Sequence, residues 1–205
     1  MKKSVTILTM VGLIIAVSGP ARADVLTFDD ITSTTTYTQS IPSGYGGFEW
    51  DKWGVIYDGT WAGYMNAPVS GHYSAFNLYA DPASVLVVLA GDFPAFDFEG
   101  GYFTAAWNTG LNIDVVGYRD GSPVYTTTVT ANTLAPTWHS FGYSNIDELV
   151  FTSYGGTPYG YTGGGGEHFA MDNFTYTPIP EPASMLVLGG LGAGLAGARK
   201  LRRKK

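Results

Sequence analysis

The chain has 205 residues, no cysteine and a formal net charge of −6, with 45% hydrophobic and 15% aromatic residues. Without cysteine there is no disulfide, thiolate nucleophile or Cys-based zinc site, so stability outside a cell has to come from a core of ordinary size. Residues 24–180 carry 16 acidic side chains against two basic ones, Lys52 and Arg119, a net of −14, which repels phosphate backbones and excludes nucleic-acid binding.

Residues 1–23 contain, in order, Lys2 and Lys3, an apolar run from Val5 to Val17, and Ala21-Arg22-Ala23. A basic start, an apolar middle and a small-x-small end form a secretory signal, and signal peptidase is expected to cut between Ala23 and Asp24. An apolar run of about 13 residues at ~1.5 Å rise falls short of a hydrocarbon core of roughly 30 Å, which argues against a permanent membrane helix.

Residues 24–177 read as one all-β domain, long enough to bury a core. Short runs rich in Val, Thr, Tyr and Phe are punctuated by Gly, Pro, Asn and Asp about every ten residues. Expected strands are 25–31, 47–57, 74–79, 85–90, 95–99, 102–107, 111–118, 123–130, 137–143, 148–153 and 169–176. Alternation is clearest in Leu111-Asn112-Ile113-Asp114-Val115, the pattern of an antiparallel strand with one buried and one wet face. Asp120-Gly121 predicts a hairpin between that strand and the next. Many short strands at this spacing predict an antiparallel two-sheet β-sandwich, a jelly roll. Residues 32–37 form a Thr/Ser run that reads as a loop or an edge strand. Residues 155–166, with seven glycines, read as a mobile hairpin tip.

Residues 178–205 form a tail. Pro180-Glu181-Pro182 precedes an apolar stretch from Ala183 to Ala198, closed by six basic residues from Arg199 to Lys205. A dense basic cluster resists translocation, so it should stay cytoplasmic and leave the rest of the chain outside, with the apolar stretch as a transient inner-membrane helix. This ordered triple resembles the PEP-CTERM sorting signal, with Pro180, Glu181 and Pro182 on the eponymous motif. The resemblance implies recognition by an exosortase, removal of the tail during surface sorting, and a Gram-negative host that makes extracellular polysaccharide. An ordinary tail anchor is the alternative.

Four segments carry a second resemblance: Phe28-Asp29-Asp30-Ile31, Tyr45 to Trp50, Gly100 to Trp107 and Phe169 to Phe174. They resemble uncharacterised secreted jelly-roll domains similar to galactose-binding-like and carbohydrate-binding modules, which implies the fold more than a ligand.

Five tryptophans and 14 tyrosines are the strongest local clue to binding, because exposed rings stack on the apolar faces of sugars. A disulfide-free sandwich also needs large rings inside, so three of the five tryptophans are expected in the core. Trp53 and Trp61, with Tyr64 beside them in turn-rich sequence, are the expected exposed, ligand-binding rings. If the first and last strands lie side by side, Asp29, Asp30 and Asp172 come close, an oxygen-rich set suited to a structural Ca²⁺. Asp97 and Glu99, two apart on a strand, share a face as a glycosidase's carboxylates would. His72, His139 and His168 fit no metal or hydrolase motif. These features predict an exported, non-catalytic binding or structural protein of the outer surface or extracellular matrix, associated with exopolysaccharide. A secreted glycan hydrolase is the alternative.

Overall fold

The computed structural model describes residues 22–31, 38–88 and 93–180. The secretory signal up to residue 21, the Thr/Ser run at 32–37 and the tail from Glu181 lie outside these residues. Among them, the chain begins with β1 (Asp24–Leu26), β2 (Gln39–Ser40), β3 (Phe48–Asp51), β4 (Trp53–Tyr57) and β5 (Tyr73–Asn77). It continues with β6 (Ala83–Val87), β7 (Ala95–Ala105), β8 (Asn108–Thr109), β9 (Leu111–Arg119) and β10 (Ser122–Ala131). It closes with β11 (Thr137–Ile146), β12 (Glu148–Tyr154), β13 (Thr157–Pro158) and β14 (Phe169–Ile179). The helical elements among the described residues are short 3₁₀ turns.

Two antiparallel sheets pack as the expected sandwich. One runs β11-β7-β14-β5-β4-β2 with β1 also on β14, the other β10-β9-β12-β6-β3, and β8 and β13 form a small ribbon. First and last strands do lie side by side, with Asp24 opposite Tyr176 and Leu26 opposite Phe174. The β9–β10 hairpin turns at Asp120-Gly121, both with positive φ, so that Arg119 pairs with Ser122. That conformation matches the right-handed twist of the strands it joins.

Several expected strand boundaries differ: the strand expected over 25–31 ends at Leu26, before Phe28 at φ 63°, and residues 89–90 of the one expected over 85–90 lie outside the described residues. Residues 47–57 are not one strand: Lys52 adopts φ 57° and passes the chain from β3 in one sheet to β4 in the other. Residues 95–99 and 102–107 are joined instead in β7, which ends at Ala105, because Gly100 remains paired with both β11 and β14 and Gly101 with β11.

Alternation decides which rings face inward. Leu111, Ile113 and Val115 of β9 are buried and Asn112 and Asp114 are not. From the opposite sheet Phe96, Phe98, Phe103, Phe169 and Phe174 complete the layer. Trp53 sits at its centre, 1% exposed. Its ring stands edge-on to Phe151 at 5.3 Å, Phe169 at 5.5 Å and Trp50 at 6.0 Å, the geometry the ring quadrupole favours. At one rim Tyr125 stacks on Tyr143, 4.7 Å apart and 12° from parallel.

A groove beside the sandwich

A second, smaller apolar cluster of Ile56, Tyr64, Ala67, Phe76, Ala106, Trp107 and Ala170 lies apart from the main core. The segment after β4 brings Tyr64 there through a 3₁₀ turn over Ala62–Tyr64, closed by the Tyr64 N–H donating to the Trp61 carbonyl at 3.0 Å. Tyr64 packs edge-on against Phe76 at 5.3 Å and Trp107 at 6.0 Å. Trp61, at the start of the turn, is left 44% exposed.

Above this cluster is a groove of about 340 Å³ lined by Trp61, Tyr64, Tyr79, Trp107, His168 and the Gly163–Gly165 backbone, among others. Gly164 lies so close to Trp107 that a Cβ there would overlap the indole ring. The Tyr159 N–H donates to the Trp107 carbonyl at 2.9 Å. The glycine-rich segment is therefore a wall laid against Trp107, not a free hairpin tip. Tyr79 stands 79% exposed at φ 61°. His168 Nδ1 is 2.9 Å from the Asn77 carbonyl. A carbonyl only accepts, so Nδ1 carries the proton and Nε2 is left as an acceptor.

Of the expected binding rings, Trp61 is exposed on the groove. Trp53 is not: its alternation on β4 points it between the sheets. Tyr64 is 2% exposed and forms the groove's floor. Three of the five tryptophans are buried, as expected, but they are Trp50, Trp53 and Trp107, while Trp138 is 40% exposed. Sequence reasoning missed Tyr79, Trp107 and His168 as groove residues, because they come from three distant segments.

Asp29 and Asp172 close on one loop, near enough for the Asp29 charge to raise the Asp172 carboxyl, while Asp30 turns to Tyr45. Asp29 Oδ1 accepts the N–H groups of His72 and Tyr73 at 2.9 and 3.2 Å. Asp172 Oδ2 accepts those of Val69 and Ser70 at 2.6 and 2.9 Å, and its Oδ1 that of Asn173 at 2.7 Å. Asp30 instead accepts the Tyr45 hydroxyl at 2.7 Å. Among the described residues no three His, Asp or Glu side chains come together as ion ligands. Two carboxylates thus hold one loop, 69–73, by its backbone. Burial pushes the Asp172 carboxyl above its ordinary range, and the N–H groups of Ser70, Val69 and Asn173 pull it back.

Asp97 and Glu99 share a face of β7, as their spacing requires, but each is committed to the fold. Asp97 accepts the Asn145 N–H at 2.8 Å and Glu99 the Thr177 hydroxyl at 2.7 Å.

At the chain ends, Asp24 opens β1 directly after Ala23, and Pro180 is the last described residue. Residues 178–204 match the model of the PEP-CTERM protein-sorting motif. The chain carries a PEP-CTERM sorting signal. Such a signal is recognised by exosortase, and it marks the chain as an exported protein sorted to the cell surface. No helix of the described residues is long and apolar enough to cross a membrane.

No curated protein matches the chain in sequence. Among solved structures it is similar to TmCBM61 in complex with beta-1,4-galactotriose, at 11% identity and TM-score 0.39, over 67% of this chain and 95% of that one. It is also similar to a DUF4465 family protein from Bacteroides ovatus, at 10% identity and TM-score 0.46, over 78% of this chain and all of that one.

Proposed function

We propose that this exported sandwich is a non-catalytic glycan-binding module of the cell surface or extracellular matrix, associated with exopolysaccharide. The observation that carries the reading is the composition of the groove: aromatic rings, glycine backbone and a histidine, with no carboxylate among the described residues that line it. Rings supply faces for the apolar side of a pyranose, and backbone groups and His168 supply the few polar contacts that orient it. A glycoside hydrolase needs two carboxylates flanking the scissile bond, and Asp97 and Glu99 are engaged elsewhere.

Charge narrows the ligand. With 16 acidic against two basic residues over 24–180, the surface repels a polyanion, so the glycan is neutral. A shallow stack on Trp61 gives affinity near the millimolar range, about −4 kcal/mol, and retention on a polymer comes from many copies.

The deciding experiment is co-sedimentation of mature protein with the host's own exopolysaccharide and with neutral glycans. Trp61→Ala and Tyr79→Ala should weaken retention and leave the melting temperature within a degree or two. Retention unchanged in both variants, or product release from any glycan, would overturn the reading.

A further inference from the structure

The last strand and the sorting signal share residues. β14 runs to Ile179, and its end is paired with β7 as Thr177 with Asp97, Pro178 with Phe96 and Ile179 with Ala95. The sorting motif begins at Pro178. Only Pro180 separates the ladder from Glu181.

The three terminal residues are held differently from those before them. Thr175 and Tyr176 are paired on both sides, with β7 and β1. Tyr176 is 4% exposed and its hydroxyl donates to the Gly46 carbonyl at 2.8 Å. Thr177, Pro178 and Ile179 are only half-buried. Their ladder and the Thr177 hydroxyl, which donates to Glu99 at 2.7 Å, both tie them to β7.

A peptide taken up by a protein in extended form is recognised through its main-chain N–H and C=O groups. Main-chain groups already bonded to β7 cannot be offered to a second partner. Chain length acts in the same direction. From Ile179 to Ala183 an extended chain reaches at most about 14 Å, and freeing residues 177–179 lengthens the leash from Tyr176 to about 25 Å.

We propose that the sorting enzyme engages this chain only after Thr177–Ile179 have come off β7, with Tyr176 as the point where peeling stops. This rests on the reading that the tail is processed. The fold then sets the rate of its own sorting through a local opening at the sheet's end. In the cut itself the acceptor nucleophile, water or an amine, adds to the acyl carbon. The peptide C–N bond breaks, and the departing tail's nitrogen takes the proton the nucleophile gives up. The residues left on the sandwich then re-pair with β7.

The test uses the full chain in its host, with retention of the tail read by intact mass over time. Ala95→Cys with Ile179→Cys places two cysteines directly opposite each other, within disulfide reach, in a protein that otherwise has none. This locked chain should keep its tail several-fold longer than the unlocked chain. Adding eight Gly/Ser residues after Ile179 to the locked chain should restore the unlocked rate, since Pro180-Glu181-Pro182, left intact, then has its own extended approach. Processing of the locked chain at the unlocked rate overturns the proposal, as does a locked chain that the insertion fails to rescue. An unaltered chain that never loses its tail removes the premise of processing and the proposal with it, leaving recognition of the motif untouched.

Discussion

Ser70 and Asp172 lie 102 residues apart in sequence, and the backbone N–H of one donates to the carboxylate of the other at 2.9 Å. The contact joins the segment that carries Trp61 to the central strand β14. Asp29 holds the same segment two and three residues further on, through His72 and Tyr73. Both carboxylates anchor this loop through its backbone N–H groups.

Asp172→Asn should destabilise the domain by about 2–3 kcal/mol, because a buried amide replaces one acceptor oxygen with an N–H donor facing other donors. Its pH dependence has a definite sign. Burial raises the Asp172 pKa above its ordinary 3.8, so the folded state holds the proton more readily than the unfolded one. The advantage of Asp over Asn is then fully present below about pH 3.8 and shrinks as pH rises through the raised value. Urea melts of both proteins across this range check the sign, and a gap that widens with pH contradicts it.

Calcium should leave the melting temperature of chelator-treated protein unchanged. An ion that binds only the folded state would raise it, but Asp29 Oδ1 and both Asp172 oxygens already accept backbone N–H groups and Asp30 is turned to Tyr45. A rise on adding calcium that Asp172→Ala abolishes would restore the ion site.

Gly71→Ala should cost about 2 kcal/mol or more. Gly71 has φ +52° and a Cβ there would overlap the Asp29 carboxylate, so the substitution adds left-handed strain to the loss of Asp29's contacts. Thermal unfolding measures it, and a neutral result would mean the loop is not held as described.

Trp53→Ala should cost about 3–5 kcal/mol as a large cavity in the core. Trp53→Phe should cost far less, since the indole N–H it removes has no hydrogen-bond partner. Denaturant melts separate the two, and equal losses would place a hidden partner at that nitrogen.

His139→Phe should flatten the loss of stability on acidification. Burial lowers the His139 pKa below its ordinary 6.5, and its Nε2 is buried without a partner. The neutral ring's contribution is therefore present above pH 6.5 and is lost as pH falls through the lowered value. A phenylalanine has no such proton to take up, and parallel pH–stability curves for the two proteins would refute the assignment.

Sequence by itself determined the features that are linear. The sorting signal is ordered along the chain, because the machinery that reads it meets an extended peptide. The β9 alternation at Leu111, Ile113 and Val115 and the Asp120-Gly121 hairpin were legible too, since a two-residue period and a positive-φ turn are local physics. Side-by-side first and last strands followed from the jelly-roll pattern. What only the tertiary structure decided was which side of each ring is covered. Trp53 and Trp61 have similar flanks, yet one is walled in by Phe151 and Phe169 and the other is open. Whether a tryptophan stacks a sugar or fills a core depends on what the opposite sheet lays over it. The same holds for Asp172, Trp107 and Gly164, whose roles are set by partners far away in sequence, where no local pattern reaches.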